Sequence, residues 1–326
     1  MLSTTKEMTL ILYPRFNELH EDIQSCRELS QMAGEPQCMV LEGLTGAGKS
    51  TLVQAYAKAM PRYEVETGSK IPILYVETPS PVTVKGMASR ILEELGDPTA
   101  YKGVSWAMDS RIIKYIKACE VQLVILDDFH HLIDRETNKI LEKVSDWLKV
   151  IIKETGIPYL VVGIEGSVEP ILRANSQLSR LFAFREVLRP FTWDPSDEET
   201  LKTFDHFIRY AEKSIGCVFT DEIDRRELLA RLYYVTDGVV GNIMNLMRFA
   251  ALLARKKEKK ILSLEILAIA YKKRLSKHIG KENPFSAPVN TSFIFLASKN
   301  SPKNIGSRVQ SKKQRKPSAA QVLVAR

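Results

Sequence analysis

Gly43-Leu44-Thr45-Gly46-Ala47-Gly48-Lys49-Ser50 satisfies the pattern GxxxxGK[ST] in full, and its flanks narrow the folds that can carry it. Cys38 to Glu42 (CMVLE) is a short apolar run ending at Gly43, and Lys49 to Met60 reads as a helix that stops before Pro61. A strand feeding a glycine-rich loop and then a helix lets backbone N–H groups close around phosphate oxygens, with the partial positive end of the helix aimed at the same anion. Gly43, Thr45, Gly46, Ala47, Gly48 and Thr51 are therefore expected in a nucleotide cradle, with Lys49 reaching the β- and γ-phosphates and Ser50 ligating Mg2+.

The alternation continues downstream. Ile71 to Val76 (IPILYV) leads through a turn at Pro79 and Pro81 into a helix at about 83–95, and Val121 to Leu126 (VQLVIL) ends at Asp127. An amphipathic stretch, 140–155, precedes Tyr159 to Val162 (YLVV), and Arg185 to Leu188 is a candidate last strand. Short, almost wholly apolar strands alternating with helices predict an α/β domain, a parallel sheet covered on both faces. A leading helix is expected at 16–33, stopped by Gly34-Glu35-Pro36, and four helices are expected at about 196–215, 221–235, 241–257 and 263–275. The expected layout is an N-terminal segment and helix (1–35), a nucleotide-binding α/β domain (36–192), a helical domain (193–275) and a basic, disordered tail (276–326) with one apolar patch at Phe293 to Leu296.

A chain of 326 residues suits one large domain plus a smaller one, and 44% hydrophobic with 26% charged residues excludes disordered, fibrous and disulfide-stapled classes. No apolar run approaches the roughly 18 residues that span a bilayer, and the N-terminus does not read as a signal peptide, so no membrane partner is expected. Cys26, Cys38, Cys119 and Cys217 lie far apart without a CxxC, which fits a reducing cytoplasm. From Ser276 onward there are ten basic residues and one acid, against 37 basic and 38 acidic before it. A near-neutral body with a basic tail suggests that the tail meets nucleic acid or an acidic partner.

A nucleotide-hydrolysing site of this kind needs an acid at the end of a neighbouring strand, and Leu123-Val124-Ile125-Leu126-Asp127-Asp128 supplies two. Asp127 is expected in the Mg2+ shell and Asp128 at the general-base position. His130 and His131 follow without further ligand residues and read as loop or packing groups. Hydrolysis also calls for a positive charge at the γ-phosphate, often from the next subunit. Arg180, in Gln177-Leu178-Ser179-Arg180-Leu181-Phe182, is the candidate, with Arg173 and Arg185 as competitors.

The ordered set of Tyr13-Pro14-Arg15, the glycine-rich loop, LVILDDFHHL (123–132), YLVVGIEG (159–166), QLSRLF (177–182) and Gly238-Val239-Val240-Gly241 resembles the TniB/TnsC group of AAA+ ATPases, over about residues 10–275. These are transposition regulators of Tn7-like and CRISPR-associated transposons. The resemblance implies a AAA+ fold with a helical lid and an ATP- and Mg2+-dependent oligomer, ring or filament, on duplex DNA without sequence preference. It further implies recruitment of transposase subunits, a target-selection partner such as a TniQ-type adaptor, a bacterial cytoplasmic setting, and disassembly by hydrolysis. It maps DNA contacts onto Lys85, Lys102 and Arg173, and it makes the tail, with Asn283-Pro284-Phe285 and Phe293-Ile294-Phe295-Leu296 as anchors, a handle for transposase. Three departures stand out: Asp128 where the group has Glu, Ile164 where a polar sensor is common, and Asn242 where an arginine often follows the later glycine turn. All three favour ATP binding over fast turnover. The rival readings are an ATP-binding scaffold that polymerises with little hydrolysis, and a signalling or initiator-type ATPase that does not wrap DNA.

Overall fold

Apolar runs without alternation need cover on both faces, and the runs that read this way become the central strands of a sheet. The computed structural model describes residues 13–79, 83–129 and 138–298, which fall into two compact units, 13–189 and 190–298. In chain order the first unit runs α1 (Pro14–Ala33), β1 (Met39–Gly43), α2 (Lys49–Ala59), β2 (Tyr63–Val65), β3 (Gly68–Lys70), β4 (Ile73–Glu77), α3 (Val84–Glu94) and α4 (Ser105–Ala118). It continues with β5 (Leu123–Asp127), α5 (Asn138–Thr155), β6 (Tyr159–Ile164), α6 (Glu169–Ala174), α7 (Ser176–Leu181) and β7 (Phe184–Leu188).

Five of these strands form one sheet in the order β4-β5-β6-β1-β7, and every pair is parallel. The glycine-rich strand β1 thus sits between β6 and β7, one strand away from the acidic strand β5. Because all five run the same way, Gly43, Glu77, Asp127, Ile164 and Leu188 end at one edge, where ligands of open α/β sheets bind. Val40, Val76, Val124, Leu126 and Val161 on the sheet pack with Met87, Ile91, Ile112, Leu148 and Ile151 from α3, α4 and α5 in one buried core. The β2–β3 hairpin and α4 are absent from the sequence reading: three-residue strands carry too little pattern, and α4 buries only Met108, Ile112 and Ile116.

The second unit holds α8 (Glu198–Ile215), β8 (Val218–Phe219), α9 (Arg225–Thr236), α10 (Val240–Lys256), β9 (Ile261–Leu262), α11 (Leu264–Arg274), α12 (Ser276–Ile279), a 3-10 turn (Pro284–Ser286) and α13 (Ile294–Ser298). The expected helices are there, and β8 and β9 add one short parallel pair. Among the described residues no helix is long and apolar enough to cross a membrane.

The expectation of a disordered tail from 276 needs correction, because residues 276–298 are folded onto α9 and α11. Arg231 on α9 is fully buried, and its guanidinium donates to the carbonyls of Pro284 (2.8 Å), Ala287 (3.2 Å), Pro288 (2.8 Å) and Thr291 (2.8 Å) while pairing with Glu227 at 3.1 Å. Glu227 in turn accepts the backbone N–H of Phe293 at 2.8 Å. The segment is poor in hydrophobics, and prolines at 284 and 288 remove backbone donors, so local pattern reads as coil. A buried five-donor group on another element satisfies its carbonyls instead. Phe285 and Phe293 are consequently buried within the protein, and of the expected apolar anchors Phe295 and Leu296 are the ones left exposed. The remainder of the expected tail, 299–326, lies outside the described residues, as do His130 and His131.

Candidate nucleotide site

The loop after β1 has the shape its glycines suggested. A Cβ on Gly43 would lie 2.3 Å from the carbonyl oxygen of Leu188 on the adjacent strand, so no side chain fits there. Gly46 and Gly48 sit at φ +80° and +105°, a region L residues with side chains avoid. Gly48 is the N-cap of α2 and supplies no side-chain cap, which leaves first-turn N–H groups for an outside acceptor. Thr45 and Thr51 are exposed, Ala47 is buried and Ser50 is half-buried at the start of that helix.

Lys49 is 8% exposed, and its Nζ donates to the carbonyls of Gly43 (2.8 Å) and Leu44 (3.0 Å). Burial is the main influence on this ammonium and lowers its pKa, while Asp127, Asp128 and Glu42 pull the other way. A bound phosphate would add to that upward pull, since an opposite charge favours the cation.

Asp127 closes β5 and is 1% exposed. Its Oδ1 accepts the backbone N–H of Asp128 at 2.9 Å, and its Oδ2 accepts the hydroxyl of Tyr75 on β4 at 2.8 Å. The Tyr75 oxygen accepts in turn from Nε2 of Gln54 on α2 at 3.0 Å. Burial first, and then the neighbouring Asp127 carboxylate, raise the Tyr75 pKa, with the Gln54 hydrogen bond opposing, so the hydroxyl keeps the proton it donates. Thr78, next to this edge, is 3% exposed, and its hydroxyl has no partner among the described residues. Asp128 follows at φ +53°, where Asp is better tolerated than longer side chains.

Glu42 is a further member that sequence reading missed. Its carboxylate accepts the N–H groups of Gly166 (3.0 Å) and Val168 (2.8 Å), pinning the loop after β6 beside the cradle. The roles of Gln54, Tyr75 and Glu42 depend on which strands are neighbours, and no motif encodes that. Ile164, at the end of β6, pairs in register with Gly43 and offers only an apolar side chain.

The three arginines separate. Arg173 and Arg185 both bind Glu169 at 2.8 Å, and Arg185 also donates to the Ser179 hydroxyl at 2.8 Å. Arg180, exposed on α7, makes no hydrogen bond or ion pair among the described residues. Lys85 is exposed in the first turn of α3 and Lys102 in the loop before α4, whereas Arg173 on α6 is tied to Glu169. These three positions lie on separate elements. In the second unit, Asn242 donates to the Thr236 carbonyl at 3.3 Å and Gly238 approaches Phe191, where a Cβ would lie 2.2 Å from its carbonyl oxygen.

The family model described as Bacterial TniB protein matches residues 2–191. Among solved structures, CDC6P from Pyrobaculum aerophilum aligns with a TM-score of 0.58 at 14% identity, covering 83% of this chain and 70% of that one. The Aeropyrum pernix ORC1 protein in complex with DNA aligns at 0.56 and 17% identity, covering 82% and 68%, and the Aeropyrum pernix ORC2 protein at 0.53 and 12%, covering 84% and 72%. At these identities the likeness is one of fold, the AAA+ fold that the motifs imply. No curated protein matches the chain.

Proposed function

Because the chain belongs to the bacterial TniB family, we propose that it is an ATP-driven regulator of transposition that assembles on duplex DNA and recruits or activates a transposase. The observation that carries the reading is the uncapped glycine cradle of β1 and α2, with Lys49 inside it and the buried Asp127 at the same sheet edge, within the span the family model matches. Mg-ATP suits these residues: free helix N–H groups and an ammonium for the phosphates, and a hydroxyl and a carboxylate for the metal. When bound, magnesium supplies positive charge against the phosphate oxygens.

The chain's own groups then divide the work. Lys49 exchanges its carbonyl partners for phosphate oxygens, Ser50 and Asp127 hold the metal, and Asp128 orients and deprotonates the attacking water. Arg180 of one copy, unpaired within its own subunit, reaches the nucleotide of the next. Lys85 and Lys102, and Arg173 once it leaves Glu169, meet DNA phosphates, so binding is independent of sequence and sensitive to salt. The solved DNA complex of the similarly folded ORC1 protein supports DNA as the substrate of assembly. A TniQ-type adaptor as target selector and the bacterial cytoplasm as setting complete the proposal.

A second reading, a scaffold that polymerises with ATP and hydrolyses it slowly, is favoured by the short Asp128 carboxylate on a left-handed backbone and by the apolar Ile164. Electron microscopy of the protein on random duplex DNA, with and without a non-hydrolysable ATP analogue and with Lys49→Ala as control, tests the main reading. Rings or filaments are expected only with both nucleotide and Lys49. Protein that binds nucleotide and ignores DNA would overturn it in favour of an ATPase that recruits protein alone. Phosphate release on DNA separates the scaffold from the hydrolase.

A further inference from the structure

We propose that Gln54 and Tyr75 form a strut that sets the separation between the two magnesium-binding side chains, Ser50 on α2 and Asp127 on β5, making Tyr75 a positioning residue for the metal. The inference rests on the nucleotide-site reading above and concerns its metal half.

The sheet register puts the pieces together. On the β4–β5 pair, Tyr75 lies opposite Ile125 and Glu77 opposite Asp127, so Tyr75 and Asp127 share one face of the sheet, two residues apart along the strands. The Tyr75 hydroxyl reaches Asp127 Oδ2 at 2.8 Å. A carboxylate has no proton to give, so the tyrosine donates, and its oxygen is left to accept from Gln54 Nε2 at 3.0 Å. Gln54 stands four residues after Ser50, on the same face of α2 one turn along. A chain of two hydrogen bonds therefore runs from the helix that carries Lys49 and Ser50, across the edge strand, to the carboxylate on β5.

The opposite side of β5 offers no equivalent, because β6 ends in Ile164. Asp127 Oδ1 is fixed by the backbone N–H of Asp128, which orients the carboxylate about its own strand and does not tie it to α2. The Gln54–Tyr75 pair supplies that tie. Without it, Ser50 and Asp127 would be referenced to each other only through the packing of α2 on the sheet.

The test is a magnesium titration of the full-length protein with a fluorescent, non-hydrolysable ATP analogue as probe, in wild type, Tyr75→Phe, Gln54→Leu and Lys49→Ala, each checked by thermal melting. Tyr75→Phe keeps the ring and its packing. It is expected to raise the magnesium concentration for half-maximal tightening about five- to tenfold, and Gln54→Leu about two- to threefold, with analogue affinity in EDTA unchanged. An unchanged magnesium midpoint in both variants would overturn the strut, and so would an equal loss of affinity with and without magnesium, which marks general damage. Failure of the strut alone appears as wild-type binding that requires Lys49 with no shift in the variants. Failure of the nucleotide reading appears as wild type that does not bind the analogue at all, and the strut falls with it.

Discussion

Asp128 sits at φ +53°, a conformation that Asp and Asn adopt more readily than other side-chain-bearing residues. Asp128→Asn keeps both the shape and the backbone tolerance and removes the base. Nucleotide affinity should stay within about twofold, while phosphate release falls by about a hundredfold, the usual worth of general-base assistance. A malachite-green assay beside calorimetric binding checks both halves. Lys49→Ala acts on the other side of the site. It removes charge-assisted hydrogen bonds to phosphate worth about 1.5–3 kcal/mol each, so calorimetry should show nucleotide binding at least about a hundredfold weaker. Both residues were legible in the sequence because they sit in contiguous motifs between a strand and a helix. Gln54, Tyr75 and Glu42 were not. Each is an ordinary residue on its own element, and only the order β4-β5-β6-β1-β7 brings it to Asp127 or to the loop after β6.

The elements themselves were read from period and punctuation, and they hold where burial is continuous: β5 is buried along its whole length and was recognised as a bare apolar run. Reading failed where an element is held by a partner distant in sequence. The segment 281–298 has Lys281 on the Tyr234 carbonyl and Asp237, Asn283 on the Ala268 carbonyl, and Trp193 Nε1 on the Ile294 carbonyl, besides the Arg231 bonds. None of these contacts leaves a local pattern. Arg231→Met tests their weight. It strands a buried Glu227 carboxylate and removes the donor from four carbonyls, so urea unfolding should show a loss of about 3–5 kcal/mol. Limited proteolysis should then cut within 284–293 in the variant and spare it in the parent. Arg180→Ala belongs to the same scale. Arg173 and Arg185 are both held by Glu169, so only Arg180 is free on α7 to serve a neighbouring subunit. Its loss should leave nucleotide affinity per subunit unchanged and lower DNA-stimulated hydrolysis by about a hundredfold or more.

For the whole molecule the open issue is which charges hold DNA, and the distribution of charge makes it separable. Residues 299–326 carry eight basic residues and no acid, while the part before Ser276 is close to neutral, with 37 basic and 38 acidic residues. A basic segment binds phosphate whether or not nucleotide is present, because counterion release needs only charge. Body contacts through Lys85 and Lys102 count only when many subunits are stacked, and so depend on ATP. Ending the chain after Ser298 keeps Phe293 and Ala297 in their buried places, so the folded unit retains its contacts. The shortened protein should lose nucleotide-independent DNA binding and keep the ATP-dependent part. In that remaining part, Lys85→Ala and Lys102→Ala should each lower the slope of log K against log salt by about 0.9 per DNA phosphate released. Fluorescence anisotropy on random duplex from 50 to 200 mM salt, a range over which about six to ten contacts change affinity by three to five orders of magnitude, resolves such differences. If the shortened protein instead loses ATP-dependent binding as well, DNA is held by the tail and the lysines at 85 and 102 are solvated side chains with no share in it.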